Sequence, residues 1–341
     1  MQTSCGTRLV LQRVANWSAG VKPAAHEPSL RRRHFEEGPM GSFVRLPGCM
    51  AAVALAGVAL MAAAPAAQAQ AMDGGTEIIR VPCRTDALVT AINTANSSSA
   101  ATVVLRGNCT YNITTPATPA DGLPAITGRI KLVGGSKTVI KRSPAALTAF
   151  RVLDVAAGGR LTLNGISIQN GTTNGLGGGI QNAGTLILYV VKLSGDTAGN
   201  GGALANLAGA TARVSDTLIE ANTTTGVGGG GIINMGTLTL AKSVLSGNSA
   251  PINGGGLNTQ AAGTSRIIQS TVAHNASGSL GGGISNLGAT SLDHTLVHLN
   301  SGSSGGGIAT ANNNVNLQRS IVRHNTPDNC SPLNTIPRCV N

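Results

Sequence analysis

Six times in this chain a short glycine run leads into an aliphatic residue. The runs occupy residues 177–180 (Gly-Gly-Gly-Ile), 201–204 (Gly-Gly-Ala-Leu), 229–232, 254–257, 281–284 and 305–308. Their aliphatic members, Ile180, Leu204, Ile232, Leu257, Ile284 and Ile308, are 24, 28, 25, 27 and 24 residues apart. A second column keeps the same period: Asp196, Asn222, Asn248, Asn275, Asn300 and Asn325, spaced 26, 26, 27, 25 and 25. Two columns sharing one period mark a chain wound into stacked units, each burying its apolar face against the next.

The residues ahead of the second column set the shape of each unit. Three before it sits Leu193, Ile219, Leu245, Val272, Val297 or Val322. Five before sits Val191, Thr217, Ser243, Ser270, Thr295 or Ser320, and eight before sits Leu188, Val214, Leu240, Ile267, Leu292 or Leu317. An offset of two keeps side chains on one face of a strand. The step of three between minus five and minus eight therefore marks a bend between short strands. The glycines are expected to supply positive φ at the sharp turns. No amphipathic helix recurs between the strands, which disfavours a βαβ sheet or barrel. The expected fold is all-β: a right-handed parallel β-helix with a short N-terminal capping helix. Coils stacked about 4.8 Å apart align equivalent side chains in ladders. In that setting Asp196, Asn222, Asn248, Asn275, Asn300 and Asn325 are structural, each amide bonding to the coils on either side.

Composition agrees with a narrow interior filled by small aliphatic residues: 41% hydrophobic but only 2% aromatic. Residues 102–325 are assigned to the solenoid, less regular over 102–170. Residues 72–101 are assigned to the N-terminal cap. Within them Leu88, Ala91, Ile92 and Ala95 share one helical face, with Asp86 placed as N-cap. Residues 326–341, with Pro327, Pro332 and Pro337, are expected to close the other end. Residues 40–71 read as a secretory signal peptide, with Arg45, an apolar run over 50–61 and Ala67-Gln68-Ala69 as the cleavage site. The apolar run is too short for a membrane span, so none is expected after signal cleavage. Residues 1–39 read as a misassigned or unstructured extension ahead of a start at Met40. Removing the seven basic and three acidic residues of 1–71 from the chain's 24 and 13 leaves a net charge near +7 on the remainder.

That remainder keeps Cys83, Cys109, Cys330 and Cys339. An even number in an exported chain points to disulfides. Three pairings exist, of which Cys83–Cys109 with Cys330–Cys339 is the most local. Zinc is disfavoured by the lack of a C-x-x-C and of any neighbouring His.

At these residues the chain resembles secreted bacterial right-handed parallel β-helix proteins of the pectin-lyase-like fold. It also resembles the repeats of polymorphic outer-membrane proteins, which carry a GG-A-I element and an F-x-x-N element. The first element is matched well. The second appears as Leu245-Ser246-Gly247-Asn248 and its cognates, with Leu, Val or Ile in place of Phe. The stretch from Cys83 to Tyr111 is similar to the N-terminal cap of the secreted group, and Pro327-Asp328-Asn329-Cys330 to its C-terminal end. The resemblance implies the fold; the scaffold itself hosts lyases, hydrolases and adhesins.

A polysaccharide enzyme on this scaffold needs paired carboxylates, or a calcium-binding acidic cluster beside a base. No Asp-Asp pair occurs, and from residue 171 onward the acids are only Asp196, Asp216, Glu220, Asp293 and Asp328. After residue 71 there is no Trp, one Phe (Phe150) and two Tyr (Tyr111, Tyr189), a poor supply for stacking sugars. His274 and His324 share a column two coils apart, too far for joint metal ligation unless His298 swings in. No phosphate-cradling motif is present, so no cofactor is expected. Six positions before the ladder stand Asp216, Lys242, Gln269, His294 and Arg319, one outward polar residue per coil. With Arg323, the cationic members Lys242, His294 and Arg319 form the expected binding strip for an anionic polysaccharide or cell-wall polymer. Nucleic acid is disfavoured because the basic residues are sparse and lack stacking aromatics. The expected function is thus a secreted, non-catalytic surface or matrix protein presenting an extended face. The alternative is a polysaccharide lyase or glycoside hydrolase. The sequence sets no oligomeric state.

Overall fold

The structure, a computed structural model, describes residues 68–73 and 76–341. The expected extension 1–39 and residues 40–67 of the expected signal peptide 40–71 lie outside the described residues. From Thr76 onward the chain forms a right-handed parallel β-solenoid. A representative coil contains the strands Thr211–Ser215, Leu218–Glu220, Thr223–Thr224 and Ile232–Asn234. The first two strands belong to one long sheet, the third to a four-stranded sheet and the fourth to an eight-stranded sheet.

The columns read from the sequence stack in register. Leu188, Val214, Leu240, Ile267, Leu292 and Leu317 are direct partners in the long sheet. So are Leu193, Ile219, Leu245, Val272, Val297 and Val322. The aliphatic residues after the glycines, Ile180 through Ile308, do the same in the eight-stranded sheet, where Cys330 continues the column. All are buried. Burial of each stabilises the stack by about 1.5–3 kcal/mol, the usual yield for an aliphatic side chain.

The glycines and the bends divide the work differently from the sequence expectation. Within each run only the first glycine has positive φ, as at Gly254 (61°). The second and third are needed for space. A Cβ on Gly255 would lie 2.3 Å from the carbonyl oxygen of Ala276, and one on Gly256 would lie 2.7 Å from that of Gly283. The other two corners of each coil are also left-handed but mostly use residues other than glycine. One corner is the column Val190, Asp216, Lys242, Gln269, His294 and Arg319, with φ between 47° and 53°. The other is Asn170, Gly195, Ala221, Gly247, His274, Leu299 and His324. A left-handed non-glycine residue costs roughly 1–2 kcal/mol, so each corner needs compensation.

Polar ladders provide it. Immediately after the second corner comes the Asn column. Asn248 donates from Nδ2 to Asn275 Oδ1 (2.9 Å) and to the Ile219 carbonyl (3.0 Å), and its backbone N–H also reaches Asn275 Oδ1 (3.0 Å). The same pattern runs from Asn222 to Asn325, where Asn329 Oδ1 takes the last two donors (3.1 and 3.2 Å). Immediately after the first corner comes the Ser/Thr column. Ser243 Oγ accepts the Thr217 N–H (3.1 Å) and donates to the Ala241 carbonyl (2.7 Å), tying the corner to itself and to the preceding coil. A third ladder, Asn182 to Asn206 to Asn234, lies two residues past the aliphatic column (2.7 and 2.8 Å). The sequence reading treated the Ser/Thr column only as a strand face and did not separate out the third ladder.

Both ends are closed. The helix Thr85–Ser97 buries Ala87, Leu88, Ala91, Ile92 and Ala95. Its N-cap is Arg84, not Asp86; Asp86 sits in the first turn and pairs with Arg84. Thr76–Val81, upstream of the helix, already pairs in parallel with Ala101–Leu105. Cys83–Cys109 clasps the helical excursion, and Cys330–Cys339 closes the C-terminal tail over buried Ile336.

Asp196 heads the Asn ladder and is fully buried. Its Oδ1 accepts the Gly171 N–H (2.8 Å), while Oδ2 occupies the place of an amide nitrogen and has no partner as a carboxylate oxygen. Burial pushes its pKa well above the ordinary carboxylate range, with the Gly171 bond opposing. A proton on Oδ2 restores the missing donor toward Asn222 Oδ1, which already accepts the Asp196 N–H (2.9 Å). The folded state thus holds a proton that the unfolded chain loses above about pH 4, so this contribution to stability is full below that pH and declines as pH rises toward the raised value. Asp196→Asn should raise the melting temperature near neutral pH by about 2–4 °C and leave it unchanged in acid, as measured by calorimetry. Asn275→Ala should lower stability in a denaturant titration by about 2–5 kcal/mol, because two buried donors of Asn248 lose their acceptor.

Candidate functional site

Outward chemistry resides on alternate strand positions and at the corners. The long sheet's outer face carries a basic groove near its N-terminal end. Ile130, Leu132, Leu161 and Leu163 point into the core, so Arg129, Lys131, Arg160 and Thr162 point out. Arg129 is the direct parallel partner of Arg160, and Lys131 lies between Thr102 and Thr162. Arg129, Lys131 and Arg160, with Thr76, Thr102 and Thr162, line an open groove of about 150 Å³. None of the three cations belongs to an ion pair among the described residues. Like charges directly opposite on neighbouring strands are destabilising. Glu77, two coils away in the same sheet, is engaged with the Ser98 hydroxyl.

The cations singled out from the sequence do not form one site. Lys242, His294 and Arg319 are exposed on the first corner, as residues at that bend must be. Asp293 binds two of them: its Oδ1 lies 3.0 Å from His294 Nδ1 and 3.2 Å from the Arg319 guanidinium. Arg323 stands on the neighbouring strand, in register with His298. His298 approaches His274, with ring centroids 5.9 Å apart at an interplanar angle of 63°. Among the described residues no three His, Cys, Asp or Glu side chains converge at metal-binding distance.

The carboxylates need a correction. Asp121 and Asp154 are far apart in sequence, in the irregular first coils, and were not seen as a pair. The structure brings them near Arg151 and Gln181. Asp121 Oδ1 is 2.8 Å from Arg151 Nε, and its Oδ2 accepts from Thr118 Oγ1 (2.7 Å). Arg151 also donates to the Leu176 carbonyl (3.0 Å), and Gln181 donates to Asp154 Oδ1 (2.9 Å). Burial raises the pKa of Asp154; Gln181 opposes this and the charge of Asp121 adds to it. The signal that finds this group is the pairing Asp121–Arg151 and Asp154–Gln181 across adjacent coils. It becomes visible only once coil register is known. Glu220 pairs with Lys192 (2.6 Å) and not with Asp216.

Exposed aromatic surface is scant. Tyr111 and Phe150 are buried, leaving Tyr189 as the exposed aromatic side chain among the described residues.

No family model and no curated protein matches the sequence. Among solved structures the chain is similar to the pectin methylesterase of Aspergillus niger, with 13% identity over 81% of this chain and 94% of that one, and a TM-score of 0.45. A likeness of that size transfers no chemistry.

The Asp121–Arg151 pair is nearly enclosed, with side-chain exposures of 15% and 10%. Asp121→Ala should therefore destabilise the protein by about 3 kcal/mol in a denaturant titration, because it leaves the guanidinium buried without its counter-charge.

Proposed function

We propose that the chain is a secreted, non-catalytic β-helix rod that binds an acidic polysaccharide along its surface. The observation that carries this reading is the basic groove, where Arg129 and Arg160 face each other across paired strands beside Lys131 with no acid paired to them among the described residues. The fold gains nothing from that arrangement. An anionic group seated between the two guanidinium groups would relieve the repulsion and be bound by charge-assisted hydrogen bonds. The flanking threonines offer hydroxyls to a sugar. Two disulfides agree with an oxidising compartment, and among the described residues no helix is long and apolar enough to cross a membrane. The corner column of Lys242, His294 and Arg319 is a secondary contact, weakened by Asp293, and Arg323 stands apart from it.

A second reading, hydrolysis or lysis of a polysaccharide, draws on Asp121 and on Asp154, whose pKa burial raises. Their bonding favours a structural role. Both oxygens of Asp121 are engaged, and the group ties the loop before Leu123 to the third sheet.

Oligogalacturonate titrated into the protein should bind at low salt, and affinity should fall steeply as salt rises, since screening acts over about 8 Å at physiological ionic strength. Arg129→Gln with Lys131→Gln and Arg160→Gln should weaken binding at least about tenfold, whereas Lys242→Gln with Arg319→Gln should cost less than about threefold, because exposed, partly paired charges contribute little. No polysaccharide should be turned over. Cleavage that disappears in Asp154→Asn would replace this reading with the second.

A further inference from the structure

His274, His298, Arg323 and His324 meet at one edge of the solenoid, on three successive coils. Parallel pairing sets Ala273 beside His298 and His298 beside Arg323. His274 and His324 occupy the left-handed corner one residue further on, at φ 56° and 54°. His298 is half-buried between them, and the other three side chains are exposed.

The corner explains part of this composition. Histidine tolerates left-handed backbone better than most residues, which accounts for His274 and His324. It does not account for His298 or Arg323, whose backbones are extended strand. Their column holds Glu220, Ser246 and Ala273 in the preceding coils. Nothing in the stacking asks for two cations there.

The charged groups facing His298 are all basic or potentially so. Burial first, then His274, Arg323 and His324, hold its pKa below the usual imidazole range. None of the four residues joins an ion pair among the described residues. Glu220, the acid in the same column, lies three coils away and is engaged by Lys192. As His298 takes up a proton, positive charge therefore accumulates at an edge that already holds Arg323, with no acid paired to it among the described residues. Leu299 and Ile321, 48% and 55% exposed, provide apolar surface beside it.

We propose that His274, His298, Arg323 and His324 form a second anion-binding site, separate from the basic groove, that grips a carboxylate of an acidic polysaccharide and tightens in mild acid. This rests on the reading of the protein as a polysaccharide-binding rod. The carboxylate of the polymer stays ionised throughout the imidazole range. A bound anion favours the protonated rings, so complex formation takes up protons. Each imidazole whose pKa rises by one on binding makes low-pH affinity about tenfold higher than high-pH affinity. Arg323 keeps its charge at either pH and supplies attraction in both conditions.

The experiment is calorimetric titration of the intact protein with oligogalacturonate near pH 5.5 and pH 7.5, each in two buffers of different ionisation heat. Wild type should bind at least about tenfold more tightly at the lower pH and show net proton uptake at the intermediate range. His274→Gln with His298→Gln and His324→Gln should retain the higher-pH affinity and lose both the pH dependence and the proton uptake. Imidazole NMR titration of wild type should show the His298 pKa moving upward when the oligomer is present. Affinity that does not change with pH, or a pH dependence that survives in the triple histidine variant, overturns the proposal. If wild type binds through Arg129, Lys131 and Arg160 without pH dependence, the histidine site fails and the polysaccharide reading stands. If it binds at neither pH, both fail.

Discussion

The solenoid depends on how its corners satisfy their buried backbone. Each coil makes sharp turns against a buried aliphatic interior, and an orphaned N–H or C=O there costs as much as a lost hydrogen bond. The answer at most of the corners outside the glycine runs is a polar side chain directly after the left-handed residue: Ser243 after Lys242, Asn248 after Gly247. Each reaches into the adjoining coil, so the coils cannot slide. Chain length shows the same constraint. The stretch from the minus-eight aliphatic to the ladder Asn never varies, although it contains two corners. The aliphatic residue after the glycines follows the ladder by 8 to 10 residues and precedes the next ladder by 16 to 18. Insertions are absorbed outside that stretch.

This division explains which parts of the molecule were legible in the sequence. The apolar columns were, because a parallel stack repeats residue type at fixed spacing, and Leu245 beside Val272 follows once the period is known. The Asn ladder and the helical face of Leu88, Ala91, Ile92 and Ala95 were legible for the same reason. Backbone conformation was less so. Glycine runs advertise turns, but Lys242, Gln269 and Arg319 adopt the same left-handed conformation without any compositional sign. Only the hydroxyl that follows each of them marks the position.

The candidate sites were hidden for a different reason. A site on a solenoid is built across coils, so its members are separated by a period that varies from coil to coil. His274 and His298 are neighbours only because the intervening turn has one particular length. Arg129 faces Arg160 across an irregular coil in which the strand Arg129–Arg142 bulges between Val133 and Thr138. Asp121 and Asp154 lie in that same irregular stretch. The strip of Lys242, His294 and Arg319 was visible because it rides on a regular column, yet Asp293 from the adjacent strand binds two of its three members.

Those observations bear on what the surface is for. A fold held by neutral ladders and an aliphatic interior places no demand on outward charge, since such positions are solvated and individually worth little. Sparse, scattered charge is then the default. Two arginines opposed in register, and a histidine–arginine edge with no ion-paired acid among the described residues, depart from that default at an electrostatic cost. Rigid stacking prevents the side chains' backbones from moving apart to relieve it. The same rigidity favours a polymeric anion: successive charges on one chain can engage fixed cations at several coils, and the second contact is made at high effective concentration once the first has formed. A small anion gains no such advantage. The arrangement is therefore better matched to a polyanion lying along the rod than to a single charged ligand.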